Sequence, residues 1–182
     1  MKELNAVMLP GPAGAGWVIG EVDGTGAAAK ASPIPFNILT TKYGDSGKDI
    51  QFKLAEDIFT TFGKKINYLF GCSVCSWSAA LPMREAGLAD DVKIIGYDIT
   101  PDTVEGVNNG LIAAAANCLG ADQYRIAMNV GVAYLEKRIT MAQMPHTIVP
   151  KFEILSKANF DTYPFYVSLA PAGYRPEFYY KP

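Results

Sequence analysis

The sequence has few of the residues on which metal, disulfide or nucleophilic chemistry depends. Its 182 residues include one histidine and three cysteines, Cys72, Cys75 and Cys118. These residues cannot form a standard zinc site without carboxylates, nor a framework of disulfides. His146 follows Pro145 in a predicted loop, which disfavours a Ser-His-Asp or Cys-His catalytic arrangement. We therefore expect no metal, no cofactor and no enzymatic activity.

The charge pattern and the lack of long apolar runs disfavour two kinds of partner. Sixteen Lys and Arg against eighteen Asp and Glu give a net charge of -2 without a basic block, so nucleic acid is a poor candidate. No apolar run reaches the ~20 residues of a membrane helix. Met1–Pro10 also lacks the basic start and long apolar stretch of a signal peptide. The 49% hydrophobic content fits one packed domain, with at most a short appendage.

Apolar periodicity predicts strands and helices that alternate along most of the chain. The predicted strands are Asn5–Leu9, Phe36–Thr41, Tyr68–Phe70, Val92–Tyr97 and Leu111–Ala116. The predicted helices are Gly16–Lys30, Gly47–Phe62, Cys75–Leu88, Pro101–Asn109 and Asp122–Arg138. This alternation is typical of an α/β fold with a doubly wound, mostly parallel sheet. In the last helix, the residues expected to point inward are Ile126, Val130, Ala133 and Tyr134.

The composition changes beyond Arg138. His146–Leu155 is an extended apolar stretch interrupted by Pro150, and Pro164–Pro182 is rich in Pro and Tyr without a helical period. We predict a strand pair followed by an extended arm that packs against the domain, because its aromatic side chains are too many to leave in water. Those side chains are Phe165, Tyr166, Phe178, Tyr179 and Tyr180.

Ligands of open parallel sheets bind outside the carboxyl ends of the strands. The segments at this edge are Pro10–Trp17, Lys42–Gly47, Gly71–Trp77, Tyr97–Pro101 and Asn117–Gln123. The first contains several glycines, but Ile19 stands where the third glycine of G-x-G-x-x-G belongs, which disfavours a dinucleotide. We interpret this segment as a loose turn that lets Trp17 project over the end of the sheet.

Two further segments of this edge carry reactive or charged groups. Cys72-Ser-Val-Cys75 has thioredoxin-type spacing at a strand-to-helix junction, yet no Lys or Arg within it would stabilise a thiolate. Two buried thiols or an incidental disulfide are the favoured interpretations, ahead of redox catalysis. Asp98 follows a buried strand and either contacts a ligand or caps the next helix, a role open to Thr100 as well. We favour the ligand contact.

The stretch Ile94–Met128 resembles type I periplasmic solute-binding proteins. In the sugar-binding members a strand ends in Gly-Phe-Asp, a Thr-Pro helix follows, and a Gly-Lys-Leu-Ala-Ala strand leads to a Gln-rich helix start. The similarity extends over almost the whole chain. The segments that look closest to the TorT-type subgroup, which senses trimethylamine N-oxide with a membrane histidine kinase, are Leu9–Gly16, Thr40–Asp45, Gly71–Ala80 and Pro171–Tyr180.

This resemblance implies a periplasmic protein with two lobes that close on a solute. Residues 1–140 would form the C-terminal, Rossmann-like lobe, and residues 141–182 the segment that returns toward the hinge or packs on the lobe as an arm. The N-terminal lobe is then absent from this chain, and Met1 would lie inside the parent protein. A single lobe is expected to bind solute weakly, because it cannot close around the solute and so does not compensate for the entropy lost on association.

The resemblance also implies a set of ligand-binding residues. In sugar-binding relatives, contacts arise at positions that match Cys72, Asp98 and Gln123, with another near Ser46. Cys72 is a thiol where those relatives have an amide. Aromatic faces for methyl groups would come from Trp17, Tyr43 and Tyr97, with Trp77 a further candidate.

The solute and the partners stay open at this point. We rank trimethylamine N-oxide or a related methylated amine narrowly ahead of a sugar. Asp98 matches a tyrosine of the subgroup, and a carboxylate favours a quaternary ammonium or a polyol. A sensor histidine kinase is the expected partner, and the alternative is a sugar-binding component of an ABC transporter. The exposed lobe face is also expected to allow a homodimer.

Overall fold

One sheet and five α-helices make up most of the described chain. A computed structural model describes residues 3–171 and 173–175. The strands are β1 (Leu4–Gly11), β2 (Phe36–Tyr43), β3 (Tyr68–Gly71), β4 (Lys93–Gly96), β5 (Ala114–Asn117) and β6 (Glu153–Ser156). The helices are α1 (Gly16–Ala31), α2 (Lys48–Phe62), α3 (Ser73–Glu85), α4 (Pro101–Asn108) and α5 (Gly120–Leu135). The predicted α/β fold class is confirmed.

The sheet is doubly wound around its first strand. The strand order is β2-β1-β3-β4-β5-β6, and every neighbouring pair is parallel except β5 with β6. The chain therefore turns in opposite directions after β1 and after β2, which creates a switch point between β1 and β3. With right-handed crossovers, α1 covers one face of the sheet, while α2, α3 and α4 cover the other. Ligand sites of such sheets lie at the carboxyl edge beside the switch point.

The helices on the α3 face pack most tightly. Ala6, Val7, Met8 and Leu9 of β1 are fully buried, as are Ile58 of α2 and Leu69 of β3. α3 approaches the sheet closely because Gly71 and Gly96 have no side chains. A Cβ atom at Gly71 would lie 3.1 Å from the Cβ atom of Cys75. Seven of the thirteen residues of α3 are buried, so this helix anchors the sheet.

Several predicted boundaries were wrong by a few residues, for local reasons. α3 begins at Ser73, two residues before the predicted start, because Cys72 acts as its N-cap. The helix ends at Glu85 instead of Leu88, just before Gly87, whose φ of +67° is unfavourable for other residues. β5 begins at Ala114 instead of Leu111, because Ile112, two residues before the strand, packs against Gly106 of α4.

The region after α4 differs more from its prediction. In the described part of the tail only one strand, β6, joins the sheet, so the predicted strand pair was wrong. α5 contains no buried residue, and Tyr134, predicted to point inward, is 42% exposed. Tyr166 is 77% exposed, although we expected it to be covered. The aromatic residues Phe178, Tyr179 and Tyr180 lie outside the described residues.

The chain divides into two compact units. The first contains the residues up to Asn117 together with Glu153–Tyr163, and therefore the whole sheet and α1 to α4. The second contains Cys118–Phe152 and the residues from Pro164 onward, including α5. The predicted division into residues 1–140 and 141–182 stays a prediction. None of the helices within residues 3–171 and 173–175 is long and apolar enough to cross a lipid bilayer.

Candidate functional site

The carboxyl edge of the first unit brings together the ends of β1, β3 and β4. The N–H of Cys72, after β3, donates to the carbonyl of Leu9 in β1 at 3.2 Å. The N–H of Tyr97, after β4, donates to the carbonyl of Gly71 at 2.9 Å. The sheet therefore continues for one residue past each strand, which aligns these backbones at the switch point. This edge is the candidate site, where a small solute would bind.

α1 lines one side of this edge with a polar and aromatic face. Trp17, Glu21 and Thr25 recur at every fourth residue, so their side chains lie along one face of the helix. The Trp17 ring covers the end of β1, since a Cβ atom at Gly11 would lie 2.6 Å from it. Trp17 is nevertheless 46% exposed, which leaves part of its ring open to a solute. The prediction that the glycine turn lets Trp17 project over the sheet is confirmed.

Tyr97 connects β4 to α1. Its hydroxyl lies 2.8 Å from Oγ1 of Thr25, and its ring stacks on Phe70 with a centroid distance of 6.3 Å. Burial raises the pKa of the Tyr97 hydroxyl above its ordinary value, although the hydrogen bond with Thr25 opposes this shift. Tyr97 thus stays neutral and fixed. Its ring belongs to an aromatic row with Phe70 and Phe36, which restricts what it can offer to a solute.

Asp98 keeps its carboxylate available at this edge. Thr100 is the N-cap of α4 and forms a capping box with Thr103, so the alternative that Asp98 caps this helix was wrong. Asp98 contributes only its backbone carbonyl, which accepts a hydrogen bond from Oγ1 of Thr103 at 3.2 Å. The half-buried Asp98 side chain makes no hydrogen bond or ion pair with a described residue.

Glu21 is a site residue that the sequence analysis missed. Its side chain is partly buried, and its Oε2 atom is buried without a hydrogen-bond partner among the described residues. Burial, together with the nearby charge of Asp98, raises the pKa of the Glu21 carboxyl to about 8. The spacing of Glu21 from Trp17 could have indicated it, because residues four apart share a helix face.

Tyr43 lies beside α1, and Ser46 lies just before the start of α2. Tyr43 pairs with Gly11 in the sheet, is 46% exposed, and lines a cavity of about 250 Å³ on the Asp23 flank of α1. Ser46 belongs to the loop between β2 and α2. The buried Gln51 holds this loop by donating from Nε2 to the carbonyls of Gly44 and Asp45 at 3.0 and 2.8 Å. The site role of both residues stays a prediction.

Cys72 differs chemically from what its predicted role assumed. It forms a disulfide with Cys75, and only 4% of its surface is exposed. Its sulfur also accepts a hydrogen bond from the N–H of Cys75 at 3.2 Å and so caps α3. Of the two favoured interpretations, the disulfide is therefore the one observed. Any solute contact at this position would meet a buried disulfide instead of a thiol.

Gln123 lies in the second unit. It occupies the first turn of α5, where its exposed side chain donates from Nε2 to the carbonyl of Cys118 at 2.6 Å. Five of the seven predicted residues, Trp17, Tyr43, Cys72, Tyr97 and Asp98, follow or flank neighbouring strand ends of the first unit. Within the described residues, no group of three or more His, Cys, Asp and Glu side chains could hold a metal ion.

Comparisons with known proteins identify relatives of this chain. No family model matches the chain. Periplasmic protein TorT of Escherichia coli strain K12 is 24% identical over 180 residues, which cover 99% of this chain and 50% of that protein. An ABC transporter solute-binding protein from Bradyrhizobium sp. BTAi1, solved with bound bis-tris, is 37% identical. Its TM-score is 0.84, with 97% of this chain and 51% of that chain covered.

Two further solved structures share the fold at lower identity. The complex of the TorS sensor domain with TorT, in the presence of trimethylamine N-oxide, gives a TM-score of 0.77 at 22% identity. The alignment covers 97% of this chain and 56% of that chain. A periplasmic ABC transporter solute-binding protein from Actinobacillus succinogenes 130z, with bound D-allose, gives 0.80 at 21% identity, covering 89% and 56%. This chain thus spans about half the length of the proteins it matches. The predicted resemblance is confirmed: the chain is related to the periplasmic solute-binding proteins, with TorT among its relatives.

Proposed function

We propose that this chain forms one jaw of a two-lobed periplasmic clamp for a small polar solute. The observation that carries the proposal is the carboxyl edge of the first unit, where Trp17 offers an exposed aromatic face and Asp98 a carboxylate without a partner among the described residues. Such a combination binds a small solute with a hydrophobic surface and a polar or cationic group. The relatives named above are solute-binding proteins, which supports binding without turnover.

We further propose that the solute is trimethylamine N-oxide or a related methylated amine, and that the parent protein signals to a membrane histidine kinase. The support is the sequence similarity to TorT and the fold shared with its complex with the TorS sensor domain. The bis-tris bound to the 37% identical relative is also an amine, with hydroxyl groups. Solute binding would bias the lobes toward one arrangement, and the kinase would respond to that bias.

A sugar-binding role in an ABC transporter is the second candidate. It is favoured by the Bradyrhizobium relative, an ABC transporter solute-binding protein, and by the D-allose complex with the same fold. A homodimer through the exposed lobe face remains a further prediction, and light scattering at high protein concentration checks it. A monomer under those conditions would remove it.

Solute titration monitored by NMR tests the proposal at the weak affinity expected of one jaw. The chain, labelled with ¹⁵N, is titrated into the millimolar range with trimethylamine N-oxide, tetramethylammonium and D-allose. We expect saturable shifts at the Trp17 indole and around Asp98. Replacing Trp17 by Ala should weaken the binding about fivefold, since an exposed cation–π contact contributes roughly 1 kcal/mol. Shifts confined to the α2 and α4 surfaces would contradict this site.

A further inference from the structure

We propose that Glu21 and Asp98 act as a pair that selects a cationic amine, with the Trp17 ring contacting the methyl or methylene groups of the solute. This inference rests on the proposed function and names its substrate class. It adds Glu21 to the site, and it distinguishes a cationic amine from the neutral candidates, trimethylamine N-oxide and the sugars.

The two carboxyl groups have no basic partner within the part of the chain that the structure describes. The side chains of the first unit form ion pairs between Lys42 and Asp57, Lys48 and Asp102, and Lys64 and Asp91. Those of the second unit pair Arg125 with Asp122 and Arg138 with Glu136. Neither Glu21 nor Asp98 takes part in an ion pair among the described residues. Glu21 lies one helical turn before Thr25, whose hydroxyl contacts Tyr97 next to Asp98, and its Oε2 atom is buried without a partner among the described residues. A positively charged solute at this edge would therefore supply the missing counter-ion.

The surroundings of Glu21 favour an organic cation over a hydrated metal ion. Trp17 lies one helical turn before Glu21 on α1, and helical side chains lean toward the N-terminus, so both face the same edge. Thr25, one turn after Glu21, donates to or accepts from Tyr97 and is thus occupied. An exposed indole face beside two carboxyl groups attracts methylated or methylene-bearing ammonium groups, which are weakly hydrated.

The protonation of Glu21 should make the affinity for a cation depend on pH, which can be measured. The titratable groups that face Glu21 are Asp98, whose charge raises the pKa of its carboxyl, and Tyr97, whose hydroxyl stays neutral. At neutral pH the Glu21 carboxyl carries a proton, because its pKa is about 8. A bound ammonium group stabilises the ionised form, so binding transfers this proton to the solvent. The affinity for a permanent cation should then rise by up to about tenfold per pH unit below pH 8.

Neutral solutes should behave differently. Trimethylamine N-oxide presents an oxygen that accepts a hydrogen bond, so a protonated Glu21 would favour it, and its affinity should fall as the pH rises through 8. D-Allose carries no charge, and its binding should release no proton. The sign of the pH dependence therefore separates the amine class from both alternatives.

The experiment compares four probes on the full chain by NMR titration at pH 6.5, 7.5 and 8.5. The probes are tetramethylammonium, trimethylammonium, trimethylamine N-oxide and D-allose. We expect the two cations to bind more tightly at each higher pH, about tenfold or more in total. Carboxyl-carbon NMR of Glu21 should show that tetramethylammonium lowers the pKa of this group. This second readout follows the proton directly in the unmodified protein.

Matched variants assign the effect to Glu21. Glu21→Gln should weaken cation binding about tenfold at pH 8.5 and make it independent of pH. Glu56→Gln changes an exposed acid on α2, outside the proposed site, and should leave binding unchanged. Circular dichroism checks that both variants fold.

Two results would overturn the inference in different ways. If trimethylamine N-oxide or D-allose binds at this edge as tightly as the cations, the solute-binding function stands and the amine selection is wrong. If none of the four probes shifts any resonance of the edge, the proposed function fails together with this inference. An unchanged pKa of Glu21 in saturating tetramethylammonium also contradicts the proposed pair.

Discussion

α1 and α3 both begin at the carboxyl edge of the sheet, yet they are built in opposite ways. α3 buries seven residues and approaches the strands so closely that Gly71 has no room for a Cβ atom. α1 buries only Val18, and no atom outside the helix backbone lies within 4 Å of where a Cβ atom would stand on Gly20, Gly24 or Gly26. A disulfide and an N-cap at Cys72 fix the start of α3, whereas the half-exposed Trp17 lies at the start of α1.

This difference suits the two helices to different roles: α3 holds the strand ends of the site in place, and α1 carries side chains that a solute could contact. Tight packing on α3 holds the strand ends in register, so the positions of Cys72 and Tyr97 are set by the sheet. The looser α1 can keep Glu21 and Trp17 partly accessible, which a solute requires. Binding sites commonly combine such rigid and less stable elements. Substitutions that alter the packing or chemistry of one helix at a time test this difference.

Gly71→Val should have the largest effect, because it removes the close approach of α3. The new Cβ atom would lie 3.1 Å from the backbone nitrogen of Ser76 and 3.3 Å from the carbonyl oxygen of Leu9. Neither atom can move without shifting a helix or a strand, so we expect the free energy of unfolding to fall by about 3 kcal/mol. Urea denaturation measures it. A loss below about 0.5 kcal/mol would show that α3 is not packed as described.

Replacing both cysteines of the α3 disulfide by serine should lower stability by about 2 kcal/mol, since the closed loop is short. Serine at position 72 retains an acceptor for the N-terminus of α3, which isolates the effect of the covalent bond. Thermal unfolding with and without reductant measures the change. Cys118→Ser is the matched control, because Cys118 lies outside the disulfide. Equal losses in the two variants would refute an anchoring role for Cys72 and Cys75.

Glu21→Gln should make the protein more stable at high pH. The pKa of this carboxyl is about 8 in the folded chain against 4.5 ordinarily, so the wild type loses stability as the pH rises from about 5 through 8. Glutamine removes that loss. Because the side chain is partly solvated, we expect a gain of about 1 to 2 kcal/mol near pH 9 and little change near pH 4. Parallel curves for variant and wild type across this range would exclude the raised pKa.

Gly24→Ala should have the smallest effect and the opposite sign to Gly71→Val. Position 24 lies inside α1, is exposed, and offers open space to a methyl group. Alanine lowers the conformational entropy of the unfolded chain, so the free energy of unfolding should rise by about 0.5 to 1 kcal/mol. Urea denaturation alongside Gly71→Val gives the direct comparison. A destabilised Gly24→Ala variant would mean that α1 is packed against something that its glycines accommodate.

Most of the fold could be predicted because its signals are local. The runs Phe36–Tyr43 and Lys93–Gly96 carry strand composition, and Thr100-Pro101 marks the start of α4. The predictions failed where another residue's packing mattered: Ile112 against Gly106 shortens β5, and Tyr134 stays exposed on α5. A helical period shows that one face is apolar, but it does not show what covers that face.

The candidate site could be predicted only in part. Asp98 and Trp17 were found because each follows a strand end or a glycine turn, and such positions reach the carboxyl edge in any parallel sheet. Glu21 was missed because acidic residues on a helix are ordinary in sequence. Its partial burial and the influence of Asp98 arise from tertiary packing, in which Thr25 of α1 contacts Tyr97 just after β4. Likewise, the spacing of Cys72 and Cys75 allowed thiols or a disulfide, and only their geometry distinguishes the two.

The order of strands and helices, and the edge at which they end, follow from the amino-acid sequence alone, since periodicity and turn residues act over short distances. The chemistry of that edge depends on contacts between distant residues. Burial and a neighbouring charge raise the pKa of the Glu21 carboxyl, and the turn into α3 brings Cys72 and Cys75 together as a disulfide whose Cys72 sulfur caps the helix. Such contacts exist only once the helices lie on the sheet, because desolvation and Coulomb interactions depend on distance in space.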